Sequence, residues 1–413
     1  MSSWKATWNL SGRRPANCSA TMANDYDVVV VGGRCAGAPL AMLLARAGLK
    51  ACVFERHASQ FEMRSTHTIQ LAGVRLLNRW GVLPKVKRLG APLLTKIHMI
   101  IHGVSISGLP WTATAQLSST CVKRGPLDTL LGELAMEANA EVRYEHDVRA
   151  MEFESGRWTV SASTPAGTRT VAARFLVAAD GMMSSVASRL QVQYSMFRRS
   201  ITFTLYKYVP NTVESDCYIL VDEWGAQACV PTTDGDMIYV IQRPAALFNS
   251  LKVGPQRFLR EAATRIANFV TLPPQAALFE GFRRALNQPS FVRAMPGTGA
   301  WLIGDAWSHK DSVTAQGITD AFLDADLLAE LIIARPHVDT RFEQELKLQW
   351  AQRTALYADE VERAHRLAGF LPATPPQIEE LQTIARNPEL SSKFLGLDAK
   401  TYSEKDFLKD LTA

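Results

Sequence analysis

The chain has 413 residues, 45 Lys and Arg against 40 Asp and Glu, a formal net charge of +5, 47% hydrophobic and 21% charged residues, and six cysteines. These proportions belong to an ordinary folded protein and exclude a disordered chain, a collagen-like repeat, a coiled coil and a disulfide-built miniprotein. Lys5, Arg13 and Arg14 supply part of the positive excess from a leader before Met22, and no Lys/Arg-rich run elsewhere marks a nucleic-acid surface. The cysteines (Cys18, Cys35, Cys52, Cys121, Cys217, Cys229) are scattered without a C-x-x-C pair, which speaks against a zinc site or a dithiol motif and suits a reduced, cytoplasmic setting. Residues 1–21 have no apolar periodicity and no apolar core of a secretory signal, so they are expected to form a disordered leader. No stretch of about 18 apolar residues is present to span a bilayer.

Along the chain, Asp27 to Val31 (DVVVV) reads as a buried strand, GGRCAG as a glycine turn and PLAMLLARAG as an apolar helix ending at Gly48. Lys50 to Glu55 (KACVFE) follows as a second strand, completing a βαβ unit. Gln70 to Trp80 reads as an amphipathic helix closed by Gly81, and Pro126 to Ala138 as another that starts just after Arg124. From Glu141 to Ala173 short alternating runs, divided at Gly156 and Thr164 to Gly167, predict a β-meander. It leads into an apolar strand, Phe175 to Ala179, which ends at Asp180-Gly181. Met196 to about Arg293 carries further strands (ITFTLYKYV, DCYILV, MIYVIQ) and a helix near Pro255 to Val270, assigned to a second domain. Trp301 to Gly304 returns to a buried strand. Gly317 to Arg335 is a long helix stopped by Pro336, and Arg341 to Phe370 and Pro376 to Lys409 are amphipathic helix.

Gly32, Gly37 and Glu55 fall at the positions of a dinucleotide-binding turn. There the first glycine permits the tight turn, the last lets helix and strand pack closely, and the acid at the end of the second strand holds ribose hydroxyls. Arg34 occupies the middle glycine position, so its side chain either points outward or assists the diphosphate. Cys35 and Ala36 complete the turn, and Arg56 follows Glu55.

Two further segments add specificity. AADGMMSS, with Asp180-Gly181 at a strand end, and WLIGDAWSHKDSVTAQGITDAFLDADLLAELI, with Gly304-Asp305 and then Gly317, resemble the second and third fingerprints of FAD-dependent aromatic hydroxylases. With the first turn in the same order and spacing, the chain resembles single-component FAD-dependent monooxygenases of the para-hydroxybenzoate hydroxylase superfamily from Asp27 to about Pro336. GxRCAG with HKDxxTAQGITDAF is similar to a bacterial subset of these flavoproteins. The resemblance implies FAD and NAD(P)H as cofactors, O2 and an aromatic or electron-rich small molecule as substrates, and one oxygen atom transferred in hydroxylation or epoxidation. It implies that Gly32 and Gly37 line the pyrophosphate, Glu55 the ribose, and Arg124 the diphosphate or ribityl. By the same resemblance Asp180 and Gly181 serve FAD and NAD(P)H, Asp305 binds ribityl, and Gly317 and Ile318 offer N–H groups to the flavin N1 and O2 edge. Arg64, Thr66 and His67 fall where the family threads a loop beside the flavin, and His67 is a catalytic candidate there.

Some positions depart from the family. The arginine expected after the second fingerprint is displaced to Arg189, and Ser312 stands where a proline usually lies near the flavin C4a. His309, in the third fingerprint loop, is a proton-relay candidate, while Tyr206, Tyr208, Trp224 and Tyr239 lie in the predicted substrate sheet as pocket or core aromatics. His98 and His102 would suit a metal only on a helix, and HMIIHGVSI reads as strand, so no metal site is expected.

The expected fold is α/β: a doubly wound FAD-binding domain from 22–95, 120–190 and 296–336, a mostly β substrate domain from 96–119 and 191–295, and a C-terminal helical segment, 337–413, which is the natural suspect for a homodimer contact. Two rival functions share the fingerprints. One is a reductase of isolated double bonds, like the geranylgeranyl reductases, which Ser312 favours. The other is a non-catalytic binder on a dinucleotide fold. A flavin halogenase is disfavoured because the W-x-W-x-I-P segment is absent.

Overall fold

Four consecutive valines, Val28 to Val31, make Asn24–Val31 the axis of the first sheet in the computed structural model, which describes residues 24–59, 67–249, 254–274, 281–297, 299–335 and 340–412. The expected leader and the candidates Arg64 and Thr66 lie outside the described residues. Val28, Val29 and Val30 are fully buried, as a parallel strand covered on both faces requires. Ala51–Phe54 and then Glu141–Arg143 pair parallel to the axis on one side. On the other side lies Gly167–Ala178, whose end carries Ala300–Leu302, also parallel. The expected meander is formed by Asp147–Glu154, Arg157–Thr164 and Gly167–Ala178, antiparallel to one another. Helix Gly37–Arg46 buries Leu40, Ala41, Met42 and Leu44, and helix Gly317–Ala334 packs against it and against Leu71–Arg79. This is the doubly wound α/β arrangement, in which the ends of parallel strands open onto a ligand crevice.

The second sheet runs in the order Arg283–Ala285, Thr202–Pro210, Asp236–Pro244, Gly225–Pro231, Asp216–Asp222, Lys96–Ile101, Val104–Gly108. Its strands alternate with period two, so each strand sends odd and even residues to opposite faces. On one face Phe203, Leu205, Met237, Tyr239 and Ile241 pack on Phe258, Leu259, Ala262 and Ile266 of helix Pro255–Ile266. The other face carries Tyr206, Tyr208, Ile238 and Val240.

A three-stranded sheet, Tyr194–Arg198, Ser290–Arg293 and Ser308–His309, joins the two units, because its last strand belongs to the third fingerprint segment. His309 is therefore on a strand and not in a loop. The C-terminal helices bridge both units. Thr340–Leu367 buries Leu346, Trp350, Tyr357 and Val361 in the main core, while Pro375–Arg386 and Glu404–Thr412 cover Ile106 of the second sheet with Ile384 and Phe407. Among the described residues the cysteines are buried and form no disulfide, no acidic, His or Cys cluster could hold a metal ion, and no helix is long and apolar enough to cross a membrane.

Candidate active site

A cavity of about 240 Å³ is lined from both sheets, and the three glycine-acid turns meet on it. Gly32, with φ +101°, takes a backbone conformation that side chains disfavour, and a Cβ there would collide with the Ala179 carbonyl at the end of the neighbouring strand. A Cβ on Gly37 would strike the Gly32 carbonyl, so the helix starts directly under the turn. Gly32, Arg34, Cys35 and Ala36 line the cavity, whereas Gly37 and Gly304 are not among its lining residues and pack beneath it.

Arg34 turns inward. Its guanidinium lies 3.2 Å from Asp128 and 3.6 Å from Glu55, and Arg124 grips the same Asp128 at 3.0 Å. Cys35 Sγ also meets Asp128, at 3.3 Å, and burial pushes this thiol far up, so it is no nucleophile. Asp128 holds Arg34 and Arg124 side by side with Glu55 next to Arg34, which fixes two guanidiniums, the side chains that bind phosphate oxygens bidentately, on the cavity. Asp128, absent from the candidates above, sits four residues after Arg124, the ion-pair spacing on a helix. Glu55 is fixed by the N–H groups of Gly33 and His57, at 2.9 and 3.0 Å, and Arg56 lines the cavity next to it.

Asp180 accepts from the Ser185 and Val186 N–H groups through Oδ2 and so starts the helix Ser185–Arg189, while its buried Oδ1 has no hydrogen-bond partner. Asp180, Gly181 and Asp305 line the cavity, as do Gly317 and Ile318 at the start of helix Gly317–Ala334. The first ladder bond of that helix runs from Asp320 N to Gln316 O, so the preceding N–H groups are free of the ladder. A Cβ added at Gly317 would meet nothing within 4 Å, an open approach to the helix end. A carboxylate oxygen without a partner, a fixed pair of guanidiniums and an open helix N-terminus are the donor and acceptor set that FAD needs.

On the opposite wall stand His67, Thr204, Tyr206, His309 and Ser312. His67 is fully buried, its Nε2 bonds the Tyr208 hydroxyl, and its ring stacks on Tyr208 and meets Tyr206 edge-on. His309 Nδ1 bonds the Pro289 carbonyl at 2.6 Å and its ring stacks on Phe291. Ser312 is drawn to the second sheet by Gln242 and Thr204, each at 3.4 Å, and the adjoining buried Asp311 binds Thr202 and Gln242. Trp224 and Tyr239, named above as possible pocket aromatics, lie elsewhere. Trp224 stacks on Phe258, and Tyr239 packs on the helix-covered face with its hydroxyl on Gln227.

Burial, reinforced by Arg124, Arg283 and Lys123, pushes the His67 imidazole down from 6.5 to about 3. The unfolded chain therefore takes up a proton below about pH 6.5 that the folded chain refuses, and stability falls as pH falls through that window. Between pH 7.5 and 5 the wild type should lose about 2 kcal/mol through this group, a loss that His67→Gln lacks. Urea denaturation of both proteins at the two pH values measures it, and equal losses would mean that His67 titrates normally in the fold.

A family model described as an FAD binding domain matches residues 25–352. The chain belongs to this FAD-binding family. It is a flavoprotein of the para-hydroxybenzoate hydroxylase superfamily, and FAD is its cofactor. Among its relatives is the para-nitrophenol 4-monooxygenase of Pseudomonas sp. (strain WBC-3), 25% identical over 177 residues, which are 40% of this chain and 43% of that one. The kynurenine 3-monooxygenase of Salinispora tropica is 28% identical over 335 residues, 75% of this chain and 73% of that one. The first of these alignments spans less than half of the relative's length. The crystal structure of p-nitrophenol 4-monooxygenase from Pseudomonas putida DLL-E4 shares the fold, with a TM-score of 0.74 at 17% identity over 93% of this chain and 100% of that one.

Proposed function

We propose that the protein is a monooxygenase that consumes NAD(P)H and O2 to hydroxylate or epoxidise an aromatic small molecule. The observation that carries this reading is the meeting of all three glycine-acid turns on one cavity that is also lined by His67 and by Tyr206 of the second sheet, with Tyr208 behind them against His67. The activities for which the two relatives are named, on a nitrophenol and on kynurenine, point to the same substrate class.

In this reading Arg34 and Arg124 hold the diphosphate, Glu55 the ribose, and Asp305 the ribityl chain. The Gly317 and Ile318 N–H groups hold the pyrimidine edge of the flavin. Bound FAD supplies the redox and oxygen chemistry. The segments 96–119 and 191–295 contribute the substrate wall. His67 stays neutral at working pH, so it serves the pocket as a hydrogen-bonding group with Tyr208 and not as a cation. The ring of Tyr206 keeps water from the reacting face, and Tyr208 fixes His67 beside it.

The test is to supply purified, FAD-loaded protein with NAD(P)H, labelled oxygen gas and a panel of phenols. One labelled atom in an aromatic product establishes the reading. Saturation of an isolated double bond without label would replace it by the reductase reading, and a protein that takes up no FAD would leave only a binder. Asp305→Asn should weaken FAD binding by roughly tenfold to a hundredfold, the loss of one charge-assisted hydrogen bond, as read by flavin fluorescence. Unchanged affinity would remove Asp305 from the site.

A further inference from the structure

Four charges form a closed set beside the cavity. Lys310 Nζ lies 3.1 Å from Asp320 Oδ2, Lys400 Nζ lies 2.6 Å from Asp320 Oδ1, and both lysines also pair with Glu360. Lys310 and Asp320 are buried, the Lys400 side chain is 8% exposed and Glu360 is half-buried. The Tyr357 ring lies 4.6 Å from Lys310 Nζ and 5.3 Å from Lys400 Nζ and closes the set on one side. Lys310, Asp320 and Tyr357 line the cavity itself.

The origin of the members matters. Lys310 and Asp320 belong to the third fingerprint segment, and Asp320 sits in the first turn of the helix whose N-terminus opens on the cavity. Glu360 comes from helix Thr340–Leu367, and Lys400 from the turn after helix Pro388–Asp398. That turn is tied down at the same place. Gln316 Nε2 donates to the Asp398 carbonyl at 2.9 Å, and Ala72 N–H donates to the Ala399 carbonyl at 3.1 Å. Half of the charge set is thus delivered by the C-terminal segment, which the fingerprints do not include.

A helix N-terminus favours an anion, but a carboxylate one turn inside opposes it. Asp320 is such a carboxylate, and it remains ionised although burial alone would push its carboxyl up, because Lys310, Lys400 and Arg353 outweigh that penalty. The two lysines and two carboxylates cancel, so the helix end keeps its positive potential.

We propose that Lys400 and Glu360 are positioning residues for the flavin: they balance the charge beneath the Gly317 helix end and thereby set the reduction potential of FAD bound there. The inference rests on the FAD-binding reading of this cavity. Reduced flavin gains negative charge at its N1 edge, so the balance of this set acts on the reduced state more than on the oxidised one.

The experiment is a dye-coupled potential titration of FAD-loaded proteins at pH 8, where carboxylates are ionised, with flavin-to-protein ratio and FAD affinity measured alongside. Lys400→Met leaves the set at −1 and should disfavour reduction at least tenfold, a fall of about 30 mV for a two-electron couple. Glu360→Gln leaves it at +1 and should raise the potential by a similar amount. The double variant restores neutrality and should return close to wild type, as should Lys400→Arg. Glu360→Gln is nearly isosteric at a half-buried position, so it gives the sign of the effect even where Lys400→Met folds poorly. Unchanged potentials, or shifts of one sign for both charge changes, overturn the proposal and leave a merely structural role. A wild type without FAD overturns the flavin reading, whereas FAD-loaded variants with unchanged potential overturn the inference alone.

Discussion

Gly32→Ala is expected to give a protein that retains no FAD and is destabilised by about 3 kcal/mol or more. Two costs combine. A φ of +101° lies outside the regions an L side chain occupies readily, and the new Cβ would drive into the Ala179 carbonyl and lie 2.9 Å from Asp180 N. Neither neighbour is a flexible side-chain end. Both are backbone of the turn that carries Asp180, so relief of the clash must separate the first and second fingerprints, and the cavity wall opens with them. Large losses from a single methyl arise in this way, by backbone strain at a special conformation. Gly156→Ala, in the turn between Asp147–Glu154 and Arg157–Thr164 and away from the cavity, is the control. Its φ is +78°, but an added Cβ meets nothing within 4 Å, so only the conformational cost of about 1 kcal/mol applies. Flavin-to-protein absorbance ratios and denaturation curves compare the two variants. Full FAD content in Gly32→Ala would mean that close approach of the two turns is not what this glycine provides.

The same two turns explain how much of the architecture was legible. Local signals are strong where one short segment does one job: the valine run, the glycine turn and the Asp180-Gly181 strand end each specify an element, and all three meet on the cavity. The direction of Arg34 was not legible, because it depends on Asp128, 94 residues away in sequence. The substrate sheet was legible as strands but not in its facing. Tyr206 and Tyr239 lie on adjacent strands with the same alternation, and only the side taken by helix Pro255–Ile266 decides that Tyr206 faces the cavity while Tyr239 packs in the core. The charge set around Lys310 was least legible. Lysine and glutamate on amphipathic C-terminal helices ordinarily face solvent, and nothing local marks Glu360 and Lys400 as partners of Asp320.

Arg353→Leu should destabilise the protein by about 3–5 kcal/mol at pH 7.5, the usual consequence of removing one partner of a buried ion pair. Arg353 reaches from helix Thr340–Leu367 to Asp324, with Nε at 2.9 Å and Nη2 at 2.6 Å from Oδ1. Asp324 is fully buried, and its other oxygen accepts the Gly304 N–H at 2.9 Å, so the pair fastens the Gly304–Asp305 turn to the C-terminal helix. Burial already pushes the Asp324 carboxyl up, with Arg353 pulling against it. Without the guanidinium the rise is larger, and the folded state then binds a proton more readily than the unfolded chain. The sign follows: stability of the variant relative to wild type should increase as pH falls from 7.5 to 5.5, opposite in sign to the His67 effect that both proteins carry. Arg353→Leu/Asp324→Asn removes the uncompensated charge, and it should recover part of the loss and abolish this difference from the wild-type pH dependence. Urea denaturation at the two pH values distinguishes these outcomes. A loss below about 1 kcal/mol for the single variant, a value typical of exposed pairs, would mean that water reaches Asp324 and that the C-terminal helix does not fasten the flavin turn.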